Sequence, residues 1–351
     1  MPMLSRCRRW RIGWRGGREI QALWNENVYV SDSRGCAEAR RKTVIASKAK
    51  QSSSDDGAGL LRFARNDKEK YSAPPRLRAN QTGFRFVTSD PSLYDFSPYR
   101  GRKPIIWPGG KSVAVWIAPN LEYYEIDPPA HPMRKAWARL HPDVVGYSHR
   151  DHSNRVSHWR MADVMTRHGF PGSVSLSVAA VSLKKKVVAD AQRRGWEFFS
   201  HGIYNTRYAY DMDEAPERAI IEDSMRAVRE ATGQTIRGWL APALTHTPRT
   251  LDLIAEYGLD YTCDLYHDDQ LQRVKTKAGN LVSIPYSLEV NDHYGFFVYN
   301  MSGREYAATL IAQYDRLARE RGTVMCIPLH AYLIGQPHRI GPFEDALRHI
   351  A

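Results

Sequence analysis

The feature that most constrains this chain is an alternation of short apolar runs with helical spacing that fills most of its last 250 residues. Residues 112–118 are a serine followed by six apolar residues, ended by Pro119-Asn120. That is short for a core helix and right for a strand buried on both faces. Runs of similar kind recur at 172–179, 196–200, 236–240, 260–264, 281–285 and 323–328. Helical patterns separate them at 157–168, 182–194, 213–232, 248–257 and 304–321. In 213–232, Ile220, Ile221, Met225 and Val228 line one face. The stretch between the first strand and residue 157 is expected to be a long loop. Strands joined by helices of this length run parallel, which predicts an α/β fold. No Gly-x-Gly-x-x-Gly follows the first strand and no phosphate loop occurs, so a barrel is preferred over a dinucleotide-binding sheet.

Charge locates a boundary. The net charge of +12 first suggests an acidic partner. Residues 1–80, however, hold 18 Lys and Arg against 8 Asp and Glu, leaving only +2 for the other 271. We therefore expect a basic, disordered segment over 1–88 and a folded domain over 89–351. The aromatics of the basic segment do not interleave with its Lys and Arg, so no nucleic-acid partner is expected. Cys7, Cys36, Cys263 and Cys326 form no Cys-x-x-Cys pair, which fits a reducing compartment. With no run near the roughly 18 apolar residues of a membrane span and no secretory signal, a cytoplasmic chain without a membrane partner is expected.

Strand after strand ends in polar residues that a core would not choose. The first ends at Asn120-Leu121-Glu122, the third at His201, and the last at His330. The 260–264 strand reaches Asp264, and the 281–285 strand leads to Glu289, Asn291 and Asp292. In a parallel barrel all these ends lie on one face, where active sites are built. Glu, His and Asn together suit activation of a water, by a general base alone or with a divalent metal. The spacing of His141, His149, His152 and His158 fits no metal motif, and they are read as a polar loop over the barrel mouth.

The residues that repeat a known pattern are Trp107-Pro108-Gly109-Gly110, Ser200-His201-Gly202, Gly238-Trp239-Leu240-Ala241-Pro242, Pro285-Tyr286 through Asn291-Asp292, and Leu329-His330 with Ile334-Gly335-Gln336-Pro337-His338-Arg339. Through them the chain from about residue 90 onward resembles the polysaccharide deacetylase (NodB-like) superfamily, and within it the allantoinase-like and cyclic-imide-hydrolase-like branch. The resemblance implies an irregular, incomplete parallel (β/α) barrel and hydrolysis of a non-peptide C–N bond in a small cyclic amide or imide.

Metal-dependent members carry paired aspartates after the first strand and His-x-x-x-His after the third. Here these positions read Asn120-Leu121-Glu122 and His201 with Asn205. The expectation is therefore either no required cofactor or one weakly held, zinc-like divalent metal on Glu122, His201 and Asn205. Glu122, His201 and His330 are the expected catalytic residues, as base, polarising group and acid. Asn120, Asn205, Trp239, Pro242, Asp264, Tyr286 and Asn291 are expected to bind a small-molecule substrate, with a homo-oligomer open. Two alternatives stand beside this reading: a metal-dependent carbohydrate N-deacetylase and a catalytically inactive ligand-binding barrel.

Overall fold

The computed structural model of the chain describes residues 29–31, 92–129 and 142–351. The rest of the basic segment, and His141, lie outside them. The described strands are β1 (Tyr29–Ser31), β2 (Val113–Leu121), β3 (Ser173–Leu176), β4 (Glu197–Ser200), β5 (Gly238–Trp239), β6 (Tyr261–Thr262), β7 (Gln272–Val274), β8 (Leu281–Ser283) and β9 (Thr323–His330). They form one sheet in the order β1-β2-β3-β4-β5-β6-β8-β7, with β9 also on β2. Pairing is parallel from β9 through β2 to β8. At the two ends it is not: β1 runs antiparallel to β2, and β7 to β8. The sheet is a mixed, incomplete barrel, as the resemblance implied, but with two antiparallel strands that the alternation pattern did not predict. Both are three residues long, too short to show a period.

The longest register, Val113↔Thr323 through Asn120↔His330, ties β2 to β9 along their whole length and places the ends of both strands together. Side chains of β2 alternate across the sheet. Ala114, Trp116 and Ala118 join Phe199, Leu240, Tyr261, Cys263, Tyr286, Val324 and Cys326 in one buried cluster inside the curled sheet. Val113, Val115 and Ile117 take the opposite parity and are fully buried as well. This is why β2 reads as a continuous apolar run.

The expected long loop after β2 is helical from Val144 onward. Asp143 caps α1 (Val144–His152), accepting from the Gly146 N–H at 2.7 Å. A π-helical turn at Ser153–Ser157 carries the chain into α2 (His158–Arg167). The segment is rich in His, Arg and Asp, which hides the apolar period. Its helicity is fixed by what it packs on, not by propensity. Ser157 stands at the cap position of α2, but its hydroxyl bonds His152 and not the first turn of the helix. The next helices, α3 (Ala180–Leu183), α4 (Lys185–Arg193), α5 (Glu214–Thr232), α6 (Thr250–Glu256) and α7 (Gly303–Glu320), lie close to the expected positions, and α7 opens on a Ser302–Glu305 capping box. Two helices follow β9: α8 (Ala331–Ile334) and α9 (Pro337–Ile350).

Candidate active site

Strand parity selects the site. On β2, Asn120 continues the interior series Ala114, Trp116, Ala118, and Glu122 follows it. On β4, Phe199 is interior and His201 comes two residues later. On β9, Val324 and Cys326 are interior and His330 keeps their phase. Glu122, His201 and His330 therefore converge at the C-terminal ends of neighbouring strands. Each is under a tenth exposed. His201 Nε2 and His330 Nε2 each lie 3.5 Å from the same oxygen, Glu122 Oε1.

Each imidazole is held from behind. His201 Nδ1 is 2.9 Å from the Leu240 carbonyl, which can only accept, so Nδ1 carries a proton. His330 Nδ1 is 2.7 Å from Asp292 Oδ1, while the His330 backbone N–H donates to Asp292 Oδ2 at 2.8 Å. Burial alone would push the Glu122 carboxyl up, but the charge of His330 and hydrogen bonds to both histidines hold it well below the usual carboxylate range. Burial alone would likewise lower His330, yet Glu122 and Asp292 push it up to about 10. Glu122 and His330 are thus a buried carboxylate–imidazolium pair at neutral pH. His293, whose ring centre is 5.5 Å from that of His330, is pushed down to about 4 by burial and by the His330 charge.

Asn205 reaches the group from the loop after β4. Its amide Nδ2 donates to Glu122 Oε1 at 2.8 Å and also contacts the Tyr124 hydroxyl. Two buried acceptors stay unpaired: Glu122 Oε2 and Asn205 Oδ1. Buried polar atoms without partners are rare and mark a place for a water or a ligand.

Other expected residues are placed differently. Asp264 follows Cys263, an interior residue, so parity turns it away from the barrel axis. Its carboxylate accepts from the Ala241 N–H at 2.8 Å, His246 Nε2 at 2.7 Å and Thr262 Oγ1 at 3.1 Å. Those bonds occupy it as a clamp between β5 and β6. Asn120 and Tyr286 bond each other, Nδ2 to hydroxyl at 3.1 Å, within the barrel interior. Asn291 Oδ1 accepts from the His293 N–H at 2.9 Å, shaping the turn that presents Asp292. Pro242 packs under Gly202, and Trp239 takes the opposite parity to interior Leu240, its buried Nε1 unpaired. The described histidines of the expected loop disperse: His158 pairs with Asp190 at 3.0 Å, His152 with Ser157, and His149 packs on Tyr332.

Sequence reading left out Asp292, Tyr124, Arg150, His293 and Tyr332. Tyr124 could have been found by extending the parity of Asn120 and Glu122. Asp292 stood in a quoted motif but without a role, because its partner His330 is 38 residues away. Arg150 lay in the misread loop.

The donor chemistry does not make a complete divalent-metal site. Asn205 turns its nitrogen, not its oxygen, to Glu122, and His330 faces Glu122 as a cation that would repel a second one. A carboxylate, one imidazole, His201 Nε2, and the unpaired amide oxygen of Asn205 remain, and an amide oxygen is a poor ligand for a zinc-like ion. Among the described residues no group of three His, Cys, Asp or Glu side chains is arranged to hold a metal ion.

Fold and site together define an incomplete (β/α) barrel of NodB type with a carboxylate–imidazole centre at its strand ends. Residues 145–262 match the polysaccharide deacetylase family model, in line with the resemblance seen in the motifs. Among solved structures, a probable polysaccharide deacetylase from Pseudomonas aeruginosa PAO1 is 25% identical with a TM-score of 0.64, over 71% of this chain and 88% of that one. The PuuE allantoinase is 23% identical with the same TM-score and the same coverage, 71% and 88%. A putative polysaccharide deacetylase from Mycobacterium smegmatis is 22% identical with a TM-score of 0.61, over 71% of this chain and 87% of that one. The likenesses under 25% identity speak to the fold. No protein of curated function matches the sequence. No helix among the described residues is long and apolar enough to cross a membrane.

Proposed function

We propose that this protein hydrolyses a non-peptide C–N bond in a small cyclic amide or imide. The observation that carries the reading is the convergence of His201 and His330 on one oxygen of Glu122, with the second oxygen left unpaired. Both oxygens of Asp292 are taken by His330, whereas Glu122 keeps Oε2 free, so among the described residues Glu122 Oε2 is the atom placed to accept a proton from water. Asn205 Oδ1, also unpaired, accepts the other water proton and orients the nucleophile. As the water oxygen bonds to the carbonyl carbon, its proton passes to Glu122 and the carbonyl electron pair moves onto oxygen. The C–N bond then breaks as His330 Nε2 gives its proton to the departing nitrogen. The ring opens to a carboxylic acid with the nitrogen still attached. Rotation of the Glu122 carboxyl then turns its protonated oxygen to the position of Oε1, facing His330 Nε2, so the proton returns to His330 and resets the pair. His201, protonated on Nδ1, offers Nε2 beside the same oxygen to steady the proton in transit. No step in this sequence calls on a metal.

The test is turnover on allantoin, hydantoin, dihydrouracil, succinimide and a chitin oligomer, with metal content measured on the same preparation. Ring opening of at least one cyclic substrate, reduced by on the order of 10²-fold or more in Glu122→Gln, is the expected result. Acetate release from the oligomer with no ring opening would instead mark a carbohydrate deacetylase.

A further inference from the structure

The proton-transfer scheme leaves one charged side chain of this neighbourhood unassigned. Arg150, near the end of α1, is partly buried between two tyrosines. Its Cζ is 4.2 Å from the centre of the Tyr124 ring and 5.6 Å from that of Tyr332. Nη1 donates to the Gly146 carbonyl at 3.3 Å, while Nε is buried and unpaired. Two other partly buried arginines have carboxylates, Arg102 with Asp268 at 2.6 Å and Arg194 with Asp190 at 2.8 Å and Asp163 at 2.6 Å, while Arg160 and Arg339 donate to backbone carbonyls away from the site. Arg150 makes no salt bridge among the described residues. A guanidinium withdrawn from water with only the Tyr124 hydroxyl and the charge of Glu122 nearby, and no carboxylate bonded to it, is costly, and its fork is built to meet oxygen. Its position ties it to the proton-transfer group, since the Asn205 amide contacts both Glu122 and the hydroxyl of Tyr124, the ring on which Arg150 lies.

We infer that Arg150 holds the substrate carbonyl oxygen that becomes an oxyanion when water adds, and that the site takes substrates uncharged at the reacting amide. The choice between a developing oxyanion and a carboxylate brought in by the substrate follows from Glu122. A substrate anion seated on Arg150 would face the ionised Glu122 carboxylate and, behind His330, that of Asp292. An oxyanion instead forms as Glu122 takes the water proton and becomes neutral. Negative charge moves from Glu122 to the substrate oxygen, and the total is unchanged. Arg150 then gains a partner at the point of highest energy, which is where stabilisation raises kcat.

This assignment rests on the C–N hydrolase reading, and kinetics separate the two. On the cyclic substrate turned over by wild type, Arg150→Met is expected to lose roughly 10²–10³ in kcat with KM nearly unchanged. Arg150→Lys keeps the charge but not the fork and should recover part of the loss, and methylguanidinium in the buffer should restore part of the activity of Arg150→Ala. Should Arg150→Met fail to fold, Arg150→Lys and the methylguanidinium response carry the test. Unchanged kcat, or a rise in KM at constant kcat, would overturn the oxyanion role while leaving the hydrolase reading intact. Wild-type protein that opens no cyclic amide sinks both.

Discussion

Asp292 grips His330 twice: one carboxylate oxygen lies 2.7 Å from His330 Nδ1 and the other accepts the His330 backbone N–H at 2.8 Å. The double contact fixes the ring's rotation and tautomer together, so Nε2 always faces Glu122. Asp292 itself is fully buried; burial raises its pKa and the His330 charge opposes that rise. A carboxylate behind an imidazole in this way positions it and stabilises its charged form.

Asp292→Asn removes the charge but keeps the shape. His330 then falls from about 10 toward its ordinary range, because one of the two carboxylates raising it is gone. For a general acid, the expected result is an alkaline limb of kcat displaced to lower pH and a kcat reduced by roughly 10²-fold or more. Steady-state rates across pH 6–11 check this. An unmoved alkaline limb would mean that His330 does not supply the proton.

Stability should carry the same signature. His330 has a folded value of about 10 against 6.5 unfolded, so its contribution is whole below about pH 6.5 and is lost as pH rises through about 10. Glu122 is depressed, so its share is present above about pH 4.5 and is lost in acid. Urea midpoints should therefore fall between pH 7 and pH 10.5 more steeply for wild type than for His330→Gln. Parallel curves would show that the buried pair adds nothing to folding.

Asp264 offers the contrast of a clamp. In Asp264→Ala, the Ala241 N–H and His246 lose a buried acceptor, at an expected cost of about 1–3 kcal/mol. Thermal denaturation measures that cost, and KM for the cyclic substrate should stay near the wild-type value. A large rise in KM at unchanged melting temperature would return Asp264 to the substrate.

Gly202 sets the exit of the chain beside His201. Its φ is +64°, and an added Cβ would come within 2.6 Å of Pro242 Cγ. Gly202→Ala combines a left-handed conformation with a clash against a rigid ring, and should cost about 1–3 kcal/mol. It should also disturb His201, whose Nδ1 is held by Leu240 two residues before that proline. Calorimetry and kcat should fall together; an unaltered melting temperature would disprove the strain.

The sequence by itself determined the parallel core, the split of charge between the first 80 residues and the rest, and the candidate trio Glu122, His201 and His330. All of these are local properties. Strand parity is written along the chain, so an interior Ala118, Phe199 or Cys326 implies the residue that continues its phase at the strand end. What the tertiary structure decided are contacts between segments that no short-range pattern links. Asn205 meets Glu122 across 83 residues, and Asp292 meets His330 across 38. The first depends on how the loop after β4 reaches the end of β2, and the second on how the loop carrying Asp292 folds onto the end of β9. The same dependence withdrew Asp264, whose parity was readable but whose partners His246 and Ala241 were not. It also made a helix of the segment that brings Arg150 onto Tyr124, because a polar sequence becomes helical there through what it packs against.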